Sequence, residues 1–319
     1  MSDRPFRFGV QCYAADSPAK FRETARQAES LGYSALHLAD HYFGPGPAMT
    51  AANHPLQNLA AVPAMAVAIE ATTTLRVGCR VFCVDYHQPV VLAKELATLD
   101  FFSEGRVEIG LGAGWITSEY HAMGIAMDGP GVRIDRLRTT TGFVRQWFES
   151  GQMCEGDRAF EATPRRSDGT CPPIMIGGGA QRILTTAGEI ADIVSLNFDN
   201  SAGAIGAKGI ASGVPERTRE KLAWIRAGAA KAGRADPEIE IGAYFATVTD
   251  STTVVEKTAG AFGMTVEQFS AYPHALAGPV AAVVDECERR RSEYAITYIT
   301  VGAAAMASFA PVVAALNGR

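Results

Sequence analysis

Short apolar runs alternate with longer amphipathic segments along the whole chain, and this alternation constrains the fold more than any other feature. Each run is short enough for a buried strand, and each is followed by a segment with helical periodicity. Strands that alternate with helices predict parallel crossovers and a sheet covered on both faces. Eight runs show this pattern: residues 6–12, 34–40, 75–82, 106–114, 173–179, 191–197, 238–248 and 295–302.

Eight such units in 319 residues predict an α/β fold, a single (β/α)8 TIM barrel over residues 1–319, with loop insertions at its carboxyl-terminal face. A doubly wound sheet would be expected to carry GxGxxG after its first strand, and GVQCYAAD lacks it. Local signals agree with the helices: Ser17 and Pro18 predict a helix start, Gly32 its end, and Pro89 another start.

Three segments are longer than ordinary connections, namely 151–172, 198–215 and 249–280. The second and third follow predicted strands, so a barrel would place them over the catalytic mouth. The segment 198–215 is rich in Gly, Ser and Ala and is therefore predicted to be a mobile lid.

Composition excludes several classes of function. A net charge of −5 gives no basic footprint for nucleic acid. No apolar stretch approaches the roughly 20 residues that span a bilayer, and the amino terminus lacks the pattern of a secretory signal. We therefore expect a cytoplasmic protein that binds neither nucleic acid nor membrane.

Six cysteines are present, and none forms a CxxC pair; the histidines show neither HxxxH nor HExxH spacing. This predicts free, buried thiols in a reducing compartment and no metal site. The cysteines concerned are Cys12, Cys79, Cys83, Cys154, Cys171 and Cys287.

The glycine run from Ile176 to Ala180 lies between an apolar strand and a helix that starts near Gln181. Glycines let the backbone approach an anion, and the free amides at a helix start supply donors. The run predicts a site for a phosphate group. The alternative is a tight turn that requires glycine for its positive φ.

Asp40 and His41 end the second predicted strand, at the face where barrel enzymes keep their catalytic groups. Histidine is suited to accepting or donating a proton near neutral pH, so the pair is predicted to be catalytic. His37, inside the same strand, is predicted to serve packing.

The GLGAGW run, Gly110 to Trp115, ends the fourth predicted strand. Its small residues would leave room for a flat ring; the alternative is that the glycines permit tight packing. Trp115 would form one wall of a substrate pocket, to which we also assign Asn197. Glu119 lies near the next helix start, where capping and catalysis are both open.

These patches together resemble the luciferase-like monooxygenase superfamily, in particular its coenzyme F420-dependent oxidoreductase branch. The resemblance covers most of the chain. The motifs that carry it are LADHYF, RVEIGLGAGW, SEYHAMGI and PPIMIGGGAQRILTTAGEIADIVSLNF.

The resemblance implies a homodimer of (β/α)8 barrels with a deazaflavin ring at the carboxyl ends of the strands. It implies that Asp40 and His41 contact the coenzyme or its substrate. A non-prolyl cis peptide, expected at Arg80–Val81, would lie behind the ring. The residues implied in coenzyme binding are Asp40, Arg80, Val81, Gly112, Ala113, Gly177, Gly178, Gly179 and Ala180.

Two departures from the family pattern refine this expectation. Ala113 stands where flavin-using relatives have an arginine that pairs with the FMN phosphate, which favours F420 over FMN. Trp115 stands where sugar-phosphate dehydrogenases of the branch have a glutamate, which argues against glucose 6-phosphate and for an apolar or flat substrate.

The implied reaction is hydride transfer between the deazaflavin and a small organic molecule, with His41 handling the accompanying proton. Two alternatives remain at this stage. One is an FMN-dependent two-component monooxygenase on the same fold. The other is a barrel that binds a flavin or deazaflavin without catalysis.

Overall fold

The computed structural model describes residues 4–153 and 159–319. Thirteen strands occur in these ranges: β1 (Arg7–Gln11), β2 (Ala35–Leu38), β3 (Arg76–Cys79), β4 (Phe82–Cys83), β5 (Val107–Gly112), β6 (Gln152–Met153), β7 (Phe160–Glu161), β8 (Ile174–Gly178), β9 (Ile193–Leu196), β10 (Glu238–Ala243), β11 (Phe245–Val248), β12 (Ala275–Gly278) and β13 (Ile296–Gly302).

The same ranges contain thirteen α-helices and two short 3-10 turns, Val84–Tyr86 and Ala303–Ala305. The helices are α1 (Pro18–Ser30), α2 (Pro47–Ala52), α3 (Ala61–Ala71), α4 (Pro89–Phe102), α5 (Thr117–Met123), α6 (Pro130–Glu149), α7 (Gln181–Ile190), α8 (Ala207–Ala211), α9 (Pro215–Lys231), α10 (Thr252–Ala261), α11 (Val266–Ala271), α12 (Val280–Tyr294) and α13 (Met306–Leu316).

Nine of the strands form one closed parallel sheet in the order β3-β2-β1-β13-β10-β9-β8-β5-β4, and β3 also pairs with β5. Because β3 and β4 are two pieces of one predicted strand, the sheet has eight strand positions, with helices packed around it. The predicted (β/α)8 barrel is confirmed. The helix starts are also confirmed: the Ser17 hydroxyl accepts from the amide of Lys20 at 3.1 Å, and α1 and α4 begin at Pro18 and Pro89.

The run 238–248, predicted as one strand, divides at Tyr244, so that prediction was wrong in part. β10 stays in the barrel, whereas β11 pairs with β12 in a separate two-stranded parallel sheet. His274 holds the bend, because its Nδ1 donates to the carbonyl oxygen of Gly242 at 2.9 Å and its ring stacks on Tyr244 with centroids 5.5 Å apart.

The third predicted strand is interrupted between β3 and β4. The peptide bond Arg80–Val81 is cis there, as expected. The two side chains depart from the interruption in different directions: Val81 packs with the apolar residues Met175 and Tyr298, and Arg80 enters a polar network at the carboxyl ends of the strands.

The amino-terminal half of the barrel interior contains a buried carboxylate. Glu108 pairs with Arg7 at 3.0 Å, and its other oxygen contacts Nε2 of His37 at 3.2 Å and accepts from the hydroxyl of Tyr298 at 3.0 Å. Burial alone would raise the pKa of Glu108, but the hydrogen bond to His37 and the charge of Arg7 lower it to about 2. His37 is therefore a buried interior residue, in line with its predicted packing role.

The long segments carry structure of their own. In 151–172, the strands β6 and β7 form an antiparallel hairpin, and Arg166 pairs with Asp100 at 2.8 Å, near the amino end of β5. The segment 249–280 contains α10, α11 and β12. No helix in the described ranges is long and apolar enough to cross a membrane.

Five cysteines lie in the described ranges and are free thiols. Cys12, Cys79, Cys83 and Cys287 are buried, as predicted, whereas Cys171 is only half-buried. Cys154 lies outside the described residues.

Close packing of α7 on α9 generates a stability prediction. A Cβ at Gly188 would meet the carbonyl oxygen of Ile225 at 2.0 Å, whereas a Cβ at Gly142, on the exposed face of α6, would meet no atom within 4 Å. We expect Gly188→Ala to lower the free energy of unfolding by about 1–3 kcal/mol. Gly142→Ala, the matched control, should raise it by up to about 1 kcal/mol. Denaturant unfolding of both variants measures the difference, and equal effects would contradict the packing described.

Candidate active site

His41 lies just beyond the end of β2 and is held by Glu119, the third residue of α5. Nδ1 of His41 lies 2.6 Å from Oε2 of Glu119, and the two side chains are 13% and 0% exposed. Glu119 also accepts from the amide of Tyr42 at 2.9 Å and from the hydroxyl of Tyr86 at 3.2 Å. Its carboxylate thus contacts the β2 loop, and we interpret Glu119 as a group that orients His41.

The protonation of this pair follows from its contacts. Burial would raise the pKa of Glu119, but hydrogen bonds from His41, Tyr42 and Tyr86 hold it below the usual range of a carboxyl. An ionised Glu119 requires a proton on Nδ1 of His41. Nε2 of His41 makes no hydrogen bond to any residue in the described ranges, and it is therefore available to a ligand as acceptor or donor.

Asp40 is buried and faces the third-strand loop. Its Oδ2 accepts from the amide of Cys83 at 2.9 Å and contacts Nε2 of His87 at 2.9 Å. Its Oδ1 is buried and has no partner among the described residues. These contacts show that Asp40 fixes the loop after β4, and its predicted contact with the coenzyme or substrate stays a prediction.

Aromatic rings surround His41 on the side of β1 and β5. The ring of His54 lies 4.5 Å from that of His41, centroid to centroid. Trp115 packs edge-on against His41 at 6.3 Å and lies 5.6 Å from His54, and Tyr13 lies 6.0 Å from His54. Trp115 therefore stands beside the candidate catalytic histidine, in a position to wall a pocket.

Arg80 crosses the centre of the barrel mouth. Its Nε donates to Glu240 at 2.9 Å, and its terminal nitrogens donate to Gln11 at 3.0 Å, to Asn197 at 3.3 Å and to the hydroxyl of Tyr244 at 3.2 Å. The Arg80 side chain is 3% exposed and that of Glu240 is fully buried. A buried charge requires a partner of this kind.

Asn197, which was predicted to line the substrate pocket, has its amide largely occupied. Its Oδ1 accepts from Arg80 and from Tyr244, and its Nδ2 donates to the hydroxyl of Ser195 at 3.3 Å. Asn197 therefore belongs to the network around Arg80, and its contact with substrate stays a prediction.

The fourth-strand glycines were predicted to leave room for a flat ring, but the third strand packs closely against them. A Cβ at Gly110 would meet the carbonyl oxygen of Cys79 at 2.0 Å, and one at Gly112 would meet Cγ2 of Val81 at 2.6 Å. The space beside these glycines is filled by the interrupted third strand, which supports the alternative of tight packing. Ala113, the next residue, is half-buried at the strand end.

The glycine run is divided between a strand and a turn: Gly177 and Gly178 end β8, and Gly179 lies in the turn before α7, whose first residue is Gln181. None of its three glycines has a positive φ among those recorded for the chain, so the turn alternative does not explain them. A Cβ at Gly179 would meet the carbonyl oxygen of Phe198 at 2.0 Å. Ala180 is the N-cap and supplies no side-chain hydrogen bond, which leaves the first amides of α7 free to bind an anion.

The segment 198–215 contacts the loop after β2. The amide of Ile205 donates to the carbonyl oxygen of Ala52 at 2.9 Å, and Nδ2 of Asn53 donates to the carbonyl oxygen of Ile205 at 3.3 Å. Gly203 lies against Thr117 at the start of α5. The segment therefore reaches the side of the mouth that holds His54 and Trp115, and its mobility stays a prediction.

Sequence reasoning missed several residues of this mouth. His54 follows no strand end and carries no motif, while Gln11, Glu240 and Tyr244 are revealed only by the direction of their side chains. Within the described ranges, no group of three or more His, Cys, Asp or Glu residues is placed to hold a metal ion.

A closed parallel barrel with a histidine–carboxylate pair and an uncapped helix start at its carboxyl face defines a TIM-barrel enzyme. A sequence model of the luciferase-like monooxygenase family matches residues 4–297. The chain belongs to this family.

Related proteins include reductases and dehydrogenases. The 5,10-methylenetetrahydromethanopterin reductase of Methanopyrus kandleri is 26% identical over 79% of this chain and 69% of that protein. The F420-dependent glucose-6-phosphate dehydrogenase of Kineococcus radiotolerans is 26% identical over 59% of this chain and 56% of that protein. The chain is accordingly an enzyme of the oxidoreductase class.

Solved structures share the fold at low sequence identity. An F420-dependent secondary alcohol dehydrogenase, in complex with an F420-acetone adduct, matches with a TM-score of 0.74 at 17% identity, over 98% of this chain and 99% of that one. The monooxygenase RslO1 from Streptomyces bottropensis matches with a TM-score of 0.71 at 20% identity, over 97% of this chain and 99% of that one.

The environment of His54 generates a prediction about pH. Burial and the neighbouring His41 lower the pKa of His54 from 6.5 to about 4. As the pH falls, the unfolded chain binds this proton first, so the contribution of His54 to stability should decrease between pH 6.5 and about 4 and stay constant below that range. Replacing His54 by Gln should weaken this dependence, whereas His121→Gln, at an exposed histidine on α5, should leave it unchanged. Denaturant midpoints across this range test it; a His54 NMR titration near 6.5 would contradict it.

Proposed function

We propose that the chain is an F420-dependent oxidoreductase that transfers a hydride between the deazaflavin and a small, apolar or flat organic substrate. The observation that carries the proposal is the pairing of His41 with Glu119 at the same face as the uncapped start of α7. The names of similar proteins support F420 as the coenzyme. Three of them are F420-dependent: a glucose-6-phosphate dehydrogenase, a secondary alcohol dehydrogenase of solved structure and a tetrahydromethanopterin reductase of solved structure.

The residues present fit such a coenzyme. The amides that follow Gly179 and Ala180 would hold its phosphate, because no side chain caps them. The backbone at Arg80–Val81 and Gly112–Ala113 would lie against the ring. When bound, the deazaflavin accepts or delivers a hydride.

His41 would move the proton that accompanies the hydride. In the direction of oxidation, Nε2 accepts the proton of a substrate hydroxyl, and Glu119 stabilises the resulting imidazolium through Nδ1. In the direction of reduction, the imidazolium donates this proton to the substrate oxygen. Trp115 shields the pair from water on one side and offers an apolar face to the carbon skeleton.

An FMN-dependent monooxygenase is the second candidate, since monooxygenases such as RslO1 share the fold. Ala113 argues against it, because an alanine offers no bidentate partner to the FMN phosphate. A non-catalytic barrel is not proposed, since the relatives with named activities are enzymes. We also propose that the chain is a single domain, forms a homodimer and is cytoplasmic. Analytical ultracentrifugation would test the homodimer through the sedimenting mass.

Coenzyme titration tests the proposal directly. We expect F420 to bind more tightly than FMN, measured by quenching of tryptophan fluorescence. Ala180→Asp should cap α7 and repel the phosphate, which would weaken F420 binding on the order of tenfold. Ala180→Asn is the matched neutral control and should weaken it less. Tighter FMN binding, or equal effects of Asp and Asn, would contradict the assignment.

Substitution of the histidine pair tests the proton transfer. We expect His41→Ala to lower turnover by on the order of 10²–10⁴ while F420 affinity changes by no more than a few-fold. Glu119→Gln should lower turnover less, since the amide can still accept from Nδ1 but carries no charge. His121→Ala serves as the control. Steady-state rates with reduced and oxidised F420 measure the effect, and an unchanged rate in His41→Ala would remove His41 from the mechanism.

A further inference from the structure

We propose that His54 is a specificity-determining residue, which accepts a hydrogen bond from a substrate hydroxyl next to the carbon that exchanges the hydride. The substrate class is then a secondary alcohol with a hydroxyl on the neighbouring carbon, or the corresponding α-hydroxy ketone. This inference rests on the proposed function, because it takes His41 as the group that handles the proton.

The tautomer of His54 is fixed by its own backbone. Nδ1 lies 2.9 Å from the carbonyl oxygen of Pro55. A carbonyl oxygen only accepts, so the ring proton is on Nδ1 and Nε2 keeps its lone pair. Burial and the nearby His41 lower the pKa of His54 to about 4, which keeps the ring neutral near pH 7. Nε2 of His54 is therefore an acceptor.

His41 and His54 can contact the same small molecule. Their ring centroids are 4.5 Å apart, and no hydrogen bond joins Nε2 of either ring to a residue that the structure describes. Two adjacent oxygens of a substrate would engage both nitrogens, one at the reacting carbon and one beside it.

The segment that carries His54 is hydrogen-bonded to a neighbouring loop. The side chain of Asn58 accepts from the amide of Ala15 at 3.1 Å and donates to its carbonyl oxygen at 2.9 Å, which ties the segment to the loop after β1. On the same segment, Gln57 is 3% exposed, and both polar atoms of its amide lack a partner among the described residues. Both Nε2 of His54 and the side-chain amide of Gln57 therefore lack hydrogen-bond partners among the described residues.

The neighbouring rings define the rest of the pocket. Trp115 lies 5.6 Å from His54, and Tyr13 lies 6.0 Å away in an edge-on arrangement. Both offer apolar surface to a carbon skeleton. Oxidation of such a diol at one carbon would break its C–H and O–H bonds: the hydride passes to the deazaflavin, the proton passes to His41, and a ketone forms. The second hydroxyl stays intact on His54.

The test compares the affinities of two ketones that differ by one hydroxyl, 2-hydroxyacetophenone and acetophenone. With the enzyme loaded with oxidised F420, neither ketone can be reduced, and an unchanged absorbance of oxidised F420 shows that the hydroxyl group is not oxidised, so calorimetry measures binding alone. We expect the hydroxy ketone to bind about tenfold more tightly. His54→Phe, which keeps a ring but has no acceptor, should make the two affinities equal. His54→Gln, which restores an acceptor, should recover part of the ratio, and His121→Phe is the matched control.

Equal affinities in the unsubstituted enzyme would overturn the inference, and so would a ratio that survives His54→Phe or the absence of binding by both ketones. F420 binding is measured in the same samples by its absorbance. A preparation that binds F420 but does not distinguish the ketones contradicts the role of His54 alone. One that fails to bind F420 contradicts the proposed function, and the ketone ratio without coenzyme still reports on His54.

Discussion

The interruption of the third barrel strand at Arg80–Val81 is the constraint on which the carboxyl face depends. Val81 fills the space beside the fourth strand, where a Cβ at Gly112 would lie 2.6 Å from its Cγ2, and it also approaches Gly177. Arg80 leaves in another direction and pairs with Glu240 at 2.9 Å. One local break thus requires glycines in the neighbouring strand β5 and supplies the cation at the centre of the mouth.

Two separate ion pairs inside the barrel follow from the cost of burying charge. Glu108 is matched by Arg7 near the amino ends of the strands, and Glu240 by Arg80 near the carboxyl ends. The pair formed by His41 and Glu119 is separate from these two ion pairs, and the His41 side chain is 13% exposed. The interior charges therefore organise the scaffold, while the histidine retains a nitrogen for an external molecule.

The sequence predicts the barrel well because its signals are local. The eight apolar runs, the Ser17–Pro18 start and Pro89 each act within a few residues, and the resemblance placed the cis bond at Arg80–Val81. The division of the seventh strand at Tyr244 could not be foreseen, since it depends on His274, thirty residues later. The role of Glu119 and the presence of His54 beside His41 were hidden for the same reason: both depend on contacts between distant loops.

The hydrogen bonds between Ile205 and the Ala52–Asn53 corner limit how the residues around this pocket can be exchanged. Two connections that are some 150 residues apart in the chain are joined by one main-chain hydrogen bond and one from the Asn53 side chain, so the conformation of each depends on the other. A graft that exchanges either connection alone would leave its partner's polar groups unmatched. We therefore expect that a change of substrate range, whether natural or engineered, requires matched changes in both connections.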